Sequence, residues 1–181
     1  MPTYIALLRG INVSGQKKIK MAELRQQLSA AGLKSVQTYI QSGNILFEHP
    51  AAPEGHLSAK IAGTIRAAYG FEVPVLVLTA AQLESIAGAN PLKAEAEANP
   101  RRTLVTFLEA VPEIDAVEAL EPARAASEQF RHIGKAIYLH CPDGYGRTKL
   151  NNNFIERKLN VPATTRNWKT VAQLLHMAAS A

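Results

Sequence analysis

"VQTYIQSGNILF", residues 36–47, decides how this chain folds. Val36–Ile40 alternates like a half-buried strand, and Ile45–Phe47 begins a second one. Between them, Gln41-Ser42-Gly43-Asn44 holds the Gly and Asn that a tight hairpin needs. A helical pattern lies on each side. Upstream, Met21, Leu24, Leu28 and Ala31 recur at helical spacing until Gly32 stops the run. Downstream, Leu57–Tyr69 reads as a helix ended by Gly70. The strand-like runs Tyr4–Leu8 and Val73–Leu78 flank the whole. The order through residue 79 is therefore βαββαβ, the split βαβ pattern of a ferredoxin-like sheet with two helices on one face.

The rest of the chain reads as a second copy of this plan. Thr79 reads as the N-cap of a helix over Ala80–Ala87, and the small, charged stretch Leu92–Arg102 as a linker. Thr103–Leu108 is strand-like, and Pro112–Leu120 is helical with proline at its start. Gln129–Ile133 and Ala136–His140 form a hairpin about Gly134, and helices follow over Lys149–Leu159 and Asn167–Ala178. The second half then reads βαββα, with a last helix in place of the final strand. The expected fold is α+β: tandem ferredoxin-like (split βαβ) halves, the second ending in an extra helix. The expected divisions are 1–79, 80–102 and 103–181. No sequence repeat underlies this duplication, only the order of elements.

Length and composition narrow the class. With 181 residues and 47% hydrophobic side chains, the chain can build a packed interior. Its net charge of +5 is unevenly spread. Residues 1–47 hold six Lys/Arg and one acid, residues 80–130 hold four against nine, and residues 131–181 hold eight against two. Cys141 is the lone cysteine, which excludes an internal disulfide and fits a reducing cytoplasm. No apolar run reaches membrane-spanning length, and the first residues lack the pattern of a signal peptide. The expectation is a cytoplasmic protein with no membrane partner.

Chain direction places the candidate site. If the first strand runs up and its helix returns down, the second strand runs up and the third comes down. The loop after strand one and the turn between strands two and three then share one end of the sheet, bringing Arg9–Lys20 near Gln41–Asn44. That neighbourhood suits an anion. Gly10 and Gly15 let the backbone curl, and the helix beginning near Lys20 offers free N–H groups and its positive dipole end. Arg9 brings a planar fork, while Lys17, Lys18 and Lys20 bring point charges. Asn12, Gln41, Ser42, Gly43 and Asn44 complete the candidate set with amides, a hydroxyl and bare backbone. The spacing Gly10-x-x-x-x-Gly15 resembles a P-loop, but Gln16 stands where its lysine belongs and Lys17 where its metal-binding hydroxyl belongs.

A second basic cluster lies in "GYGRTKLNNNFIERKL" (144–159) and "TTRNWKTV" (164–171). Arg147 and Lys149 are read at a helix start, where the dipole disfavours cations unless an anion is near. Arg166 and Asn167 are read in a threonine-capped helix start, beside Trp168. The five histidines show no metal spacing, and Ser42 has no assignable base. No metal or cofactor is expected, and no catalytic residue can be assigned.

Four stretches together resemble one family: "ALLRGINV" (6–13), "KIKMAELR" (18–25), "TYIQSGNILF" (38–47) and "ERKLNVPATTRNWKTV" (156–171). The chain is similar to the bacterial family catalogued as domain of unknown function 1697. The resemblance implies an α/β fold with ferredoxin-like halves and brings no established function. It also implies a second glycine where Ser14 stands. Three readings stay open: a binding module for an anionic small molecule or nucleic acid, a small enzyme acting on an anionic metabolite, and a scaffold without ligand. The aromatic pattern of an RNA-recognition sheet is missing.

Overall fold

A computed structural model describes all residues, Met1–Ala181. They form two compact units, one of Met1–Ser85 with Leu174–Ala181 and the other of Ile86–Gln173.

The first unit is built on β1 (Thr3–Leu8), α1 (Met21–Ala30), β2 (Lys34–Tyr39), β3 (Asn44–Glu48), α2 (Glu54–Tyr69) and β4 (Val75–Thr79), followed by α3 (Ala80–Gly88). The strands form one antiparallel sheet in the order β2-β3-β1-β4. β1 is central, so Ile5 pairs with Leu46 on one side and Leu78 on the other. Tyr4, Ala6 and Leu8 join Leu24 and Leu28 of α1 and Leu57, Ile61 and Ile65 of α2 in one core. Ile5 and Leu7 are also fully buried, which explains why β1 reads as an unbroken apolar run. α3 begins with a reciprocal cap: the Gln82 N–H donates to Thr79 Oγ1 (3.0 Å), and the Thr79 N–H donates to Gln82 Oε1 (2.9 Å).

The second unit begins with a helix that the sequence reading took for linker, α4 (Lys93–Ala98). Its Ala, Glu and Lys residues are strong helix formers, and Leu92 and Ala96 are buried. Then come β5 (Thr103–Leu108), α5 (Ile114–Glu118), β6 (Gln129–Ile133), β7 (Ala136–His140), α6 (Asn152–Leu159), β8 (Ala163–Asn167) and α7 (Trp168–Ala179). The sheet order β6-β7-β5-β8 repeats the first half's order. The final strand is therefore present. β8 pairs antiparallel with β5 from Ala163 to Asn167, and the expected threonine-capped helix start is this strand. The cap of α7 is Asn167, whose Oδ1 accepts from the Thr170 N–H at 2.9 Å. Both halves thus read βαββαβ followed by a helix.

Candidate functional site

Three connections converge at one end of the first sheet. The Leu8 N–H donates to the Gly43 carbonyl (2.8 Å), joining the end of β1 to the β2–β3 turn. The Arg9 N–H donates to the Pro74 carbonyl (3.1 Å), joining it to the segment between α2 and β4. That third connection follows from the same chain direction, because α2 must end where α1 begins.

The loop after β1 is a small hairpin. The Gln16 N–H donates to the Val13 carbonyl (2.9 Å), with Ser14 and Gly15 both at positive φ, 51° and 73°. Two successive left-handed residues make a type I′ turn, so the glycines serve hairpin geometry and do not form a P-loop. Seven of the thirteen left-handed residues of the chain lie in 10–17 and 40–43, so backbone strain concentrates at this rim.

Asn12 clips the loop in place. Its Nδ2 donates to the carbonyls of Gln41 (2.8 Å) and Ile19 (3.1 Å), and its Oδ1 accepts from the Ile19 N–H (2.9 Å). Asn44 is fully buried and donates to the Tyr39 carbonyl and Ser42 Oγ, both at 3.0 Å. These two amides, expected to face a ligand, are used to hold the site's walls, because amides buried in a turn must be satisfied locally. Gly43 is packed: a Cβ there would stand 2.7 Å from Leu8 Cβ and 2.9 Å from Ile11 Cδ1.

Beneath the loop lies an open cleft of about 540 Å³. Asn12, Gly15 and Gln41 line it together with Lys18, Ile19 and Lys20. Lys20 is the N-terminal flank of α1, where no side chain caps the helix. Glu23 stands in that first turn, so its carboxylate already offsets part of the helix's positive end, and Lys18 and Lys20 supply the attraction for an anion. Lys17 turns away, its Nζ donating to the Glu72 carbonyl (2.7 Å). Arg9 is half-buried at the end of β1 and is not among the residues lining the cleft.

Two lining residues escaped the sequence reading as parts of this site, Glu23 of α1 and Tyr69 at the end of α2. The Tyr69 hydroxyl and Gln27 Oε1 are buried, and the hydroxyl lies beside the side chains of Gln27 and Glu23. Burial, and then the negative charge of Glu23, raise the Tyr69 phenol above its ordinary value, against a smaller opposing pull from Gln27. Glu23 and Gln27, four apart, flank the buried stripe of Leu24 and Leu28, so they share one face of α1. That spacing, with the upward run of α2, was the signal available in sequence.

The second basic cluster does not assemble as expected. α6 starts at Asn152 with Asn151 as its cap, so exposed Arg147 and Lys149 precede it and the dipole argument lapses. Arg166 is buried on β8, with Nη1 donating to Thr164 Oγ1 and the Thr165 carbonyl, both 2.9 Å. Burial lowers its guanidinium to about 10. Asn167 is occupied in capping α7.

The model of the family described as protein of unknown function (DUF1697) matches residues 1–138. The chain belongs to this family. The stretch 156–171, also quoted for the family resemblance, lies beyond that match. Outside the DUF1697 model, the chain is similar over 98% of its length to 98% of a solved structure, that of conserved bacterial protein SP0830 from Streptococcus pneumoniae. Their identity is 29% and the TM-score 0.76. No curated protein matches the sequence. The DUF1697 description names no activity. No helix of the chain is long and apolar enough to cross a membrane.

Proposed function

We propose that this is a cytoplasmic binding protein for a small anionic ligand, held in the cleft at the rim of the first sheet. The observation that carries the reading is the meeting of Lys18, Lys20 and the uncapped start of α1 in a cleft of about 540 Å³. That volume lies in the range of small-molecule sites, roughly 300–1,000 Å³, which favours a metabolite over a nucleic-acid strand. The clip at Asn12 pre-orders the loop, so binding need not order it. Burial and Glu23 raise the Tyr69 phenol, so it stays protonated at neutral pH and offers the cleft a hydroxyl donor.

Thermal shift of the full chain against phosphates and carboxylates tests the reading. A ligand at 100 times its dissociation constant adds about 2.7 kcal/mol. The shift should vanish in the double variant Lys18→Ala/Lys20→Ala, whose exposed side chains are dispensable for folding. Shifts that persist in that variant would place the anion elsewhere.

A further inference from the structure

The connections that follow the first strand of each unit carry opposite charge. Residues 9–20 hold Arg9, Lys17, Lys18 and Lys20 and no acid. Residues 109–118, the connection after β5 together with α5, hold Glu109, Glu113, Asp115 and Glu118 and no base. All four acids are exposed, and no salt bridge within the chain takes them up.

Each rim also shows apolar side chains to solvent. On the first unit Val13 is 57% exposed and Ile40 50%, and the bond from Asn12 to the Gln41 carbonyl sets their segments side by side. Ile40 is held at φ 50°, a left-handed backbone that a β-branched residue adopts only at a cost. On the second unit Val111 is 62% exposed, Ile114 69% and Ile133 45%. There the bond from the Leu108 N–H to the Lys135 carbonyl brings the β6–β7 hairpin to the connection after β5. These are five of the chain's six exposed large hydrophobic residues, the sixth being the terminal Met1, so exposed apolar surface is concentrated at the two rims.

We propose that the chain associates head to tail, the basic rim of one copy's first unit docking on the acidic rim of another copy's second unit. The apolar side chains meet at the centre, and the lysines face the acids around them. Two different faces meet, so the contact is heterologous. A surface this small supports transient association, with a Kd on the order of 100 µM.

Sedimentation velocity of the full chain from about 10 to 500 µM, a range that brackets this Kd, tests the proposal. In about 0.05 M salt the mass should climb with concentration above the 19.6 kDa of one chain, and about 1 M salt should weaken the association tenfold or more. Val13→Ser/Ile40→Asn strips the basic rim of its apolar centre but changes no lysine, and asparagine suits the left-handed backbone. Val111→Ser/Ile114→Ser strips the acidic rim. All four positions are exposed, so both variants should fold. Each alone should stay monomeric. Mixed, they should form a one-to-one pair and go no further, because each keeps the face that the other lacks. A wild-type chain that stays monomeric throughout would overturn the proposal. So would loss of association in only one variant, which marks a contact between like faces, or a mixture that stays monomeric. Association indifferent to salt would overturn it as well, since the charges would then have no part in it.

Discussion

The two halves of this protein share a backbone plan down to single hydrogen bonds, yet they differ in the connection that lines the cleft at the first sheet's rim. Leu8 N–H reaches the Gly43 carbonyl, and Leu108 N–H reaches the Lys135 carbonyl. Arg9 N–H reaches the Pro74 carbonyl, and Glu109 N–H reaches the Pro162 carbonyl. The donors' partners fall in a short repeat, Val73-Pro74 and Val161-Pro162, each just before the fourth strand, with both valines buried. What differs is the connection after the first strand. It runs from Arg9 to Lys20 in the first half and only from Glu109 to Glu113 in the second. The extra length holds the hairpin, the Asn12 clip and the lysines. The sheet supplies a platform, and the chemistry lies in what one loop adds to it.

The comparison breaks hardest at the hairpin tips. Gly43 has φ 93° and no room for a Cβ, whereas Gly134 has φ 54° and open space around it. Gly43→Ala should cost about 3 kcal/mol or more, through overpacking and left-handed strain together. Gly134→Ala should cost about 1 kcal/mol, from strain alone. Denaturant midpoints measure both, and equal losses would show that the tips are packed alike.

Next in size is Asn12→Ala. It removes three hydrogen bonds and an amide tolerant of left-handed backbone, so a loss of about 2 kcal/mol is expected. Ligand-induced thermal shifts should fall with it, because the loop loses its fixed position over the cleft. A variant that loses stability but keeps the shift would detach the clip from the site.

Cys141 reports on the second half. Burial raises its thiol to about 11, so it stays protonated and sheltered at pH 8. Thiol labelling should be slower than in the unfolded chain by about a hundredfold or more. With the folded value raised, the unfolded chain loses its proton first, so this group's contribution to stability declines as pH rises from about 9 toward 11. Labelling as fast as that of the unfolded chain would mean the strand end is open.

The smallest effect is expected at Ser14, which sits at φ 51° in the turn of the loop hairpin. Ser14→Gly relieves left-handed strain of about 1–2 kcal/mol but frees the unfolded chain by about 0.4–1 kcal/mol. A net gain of about half a kcal/mol should appear as a small rise in melting temperature. A fall would mean that the serine side chain supports the turn.

The strand order of the first half was legible because each signal agreed with its neighbour: the turn residues at 41–44, the helical stripe of α1 and the unbroken apolar β1. The shared rim followed from chain direction alone. β8 was missed because "ATTRN" shows no apolar alternation, and threonines ahead of a helix look like caps. α4 was missed because alanine and glutamate read as linker composition, although both favour helix. The site was legible as a place more than as a residue set. Asn12 and Asn44 look like ligand-binding amides in sequence, but packing turns them inward. Tyr69 enters only through a third connection, far along the chain. Arg166 reads as a cation for a ligand, while β8 carries it into the interior.

The most direct test of the central claim is to titrate inorganic phosphate, up to about 20 mM for a millimolar site, while following backbone amide resonances of the full chain. Saturable shifts confined to residues 12–23, 41–44 and 69–74 are the predicted result. Shifts centred on residues 145–152, or none at all, would contradict it.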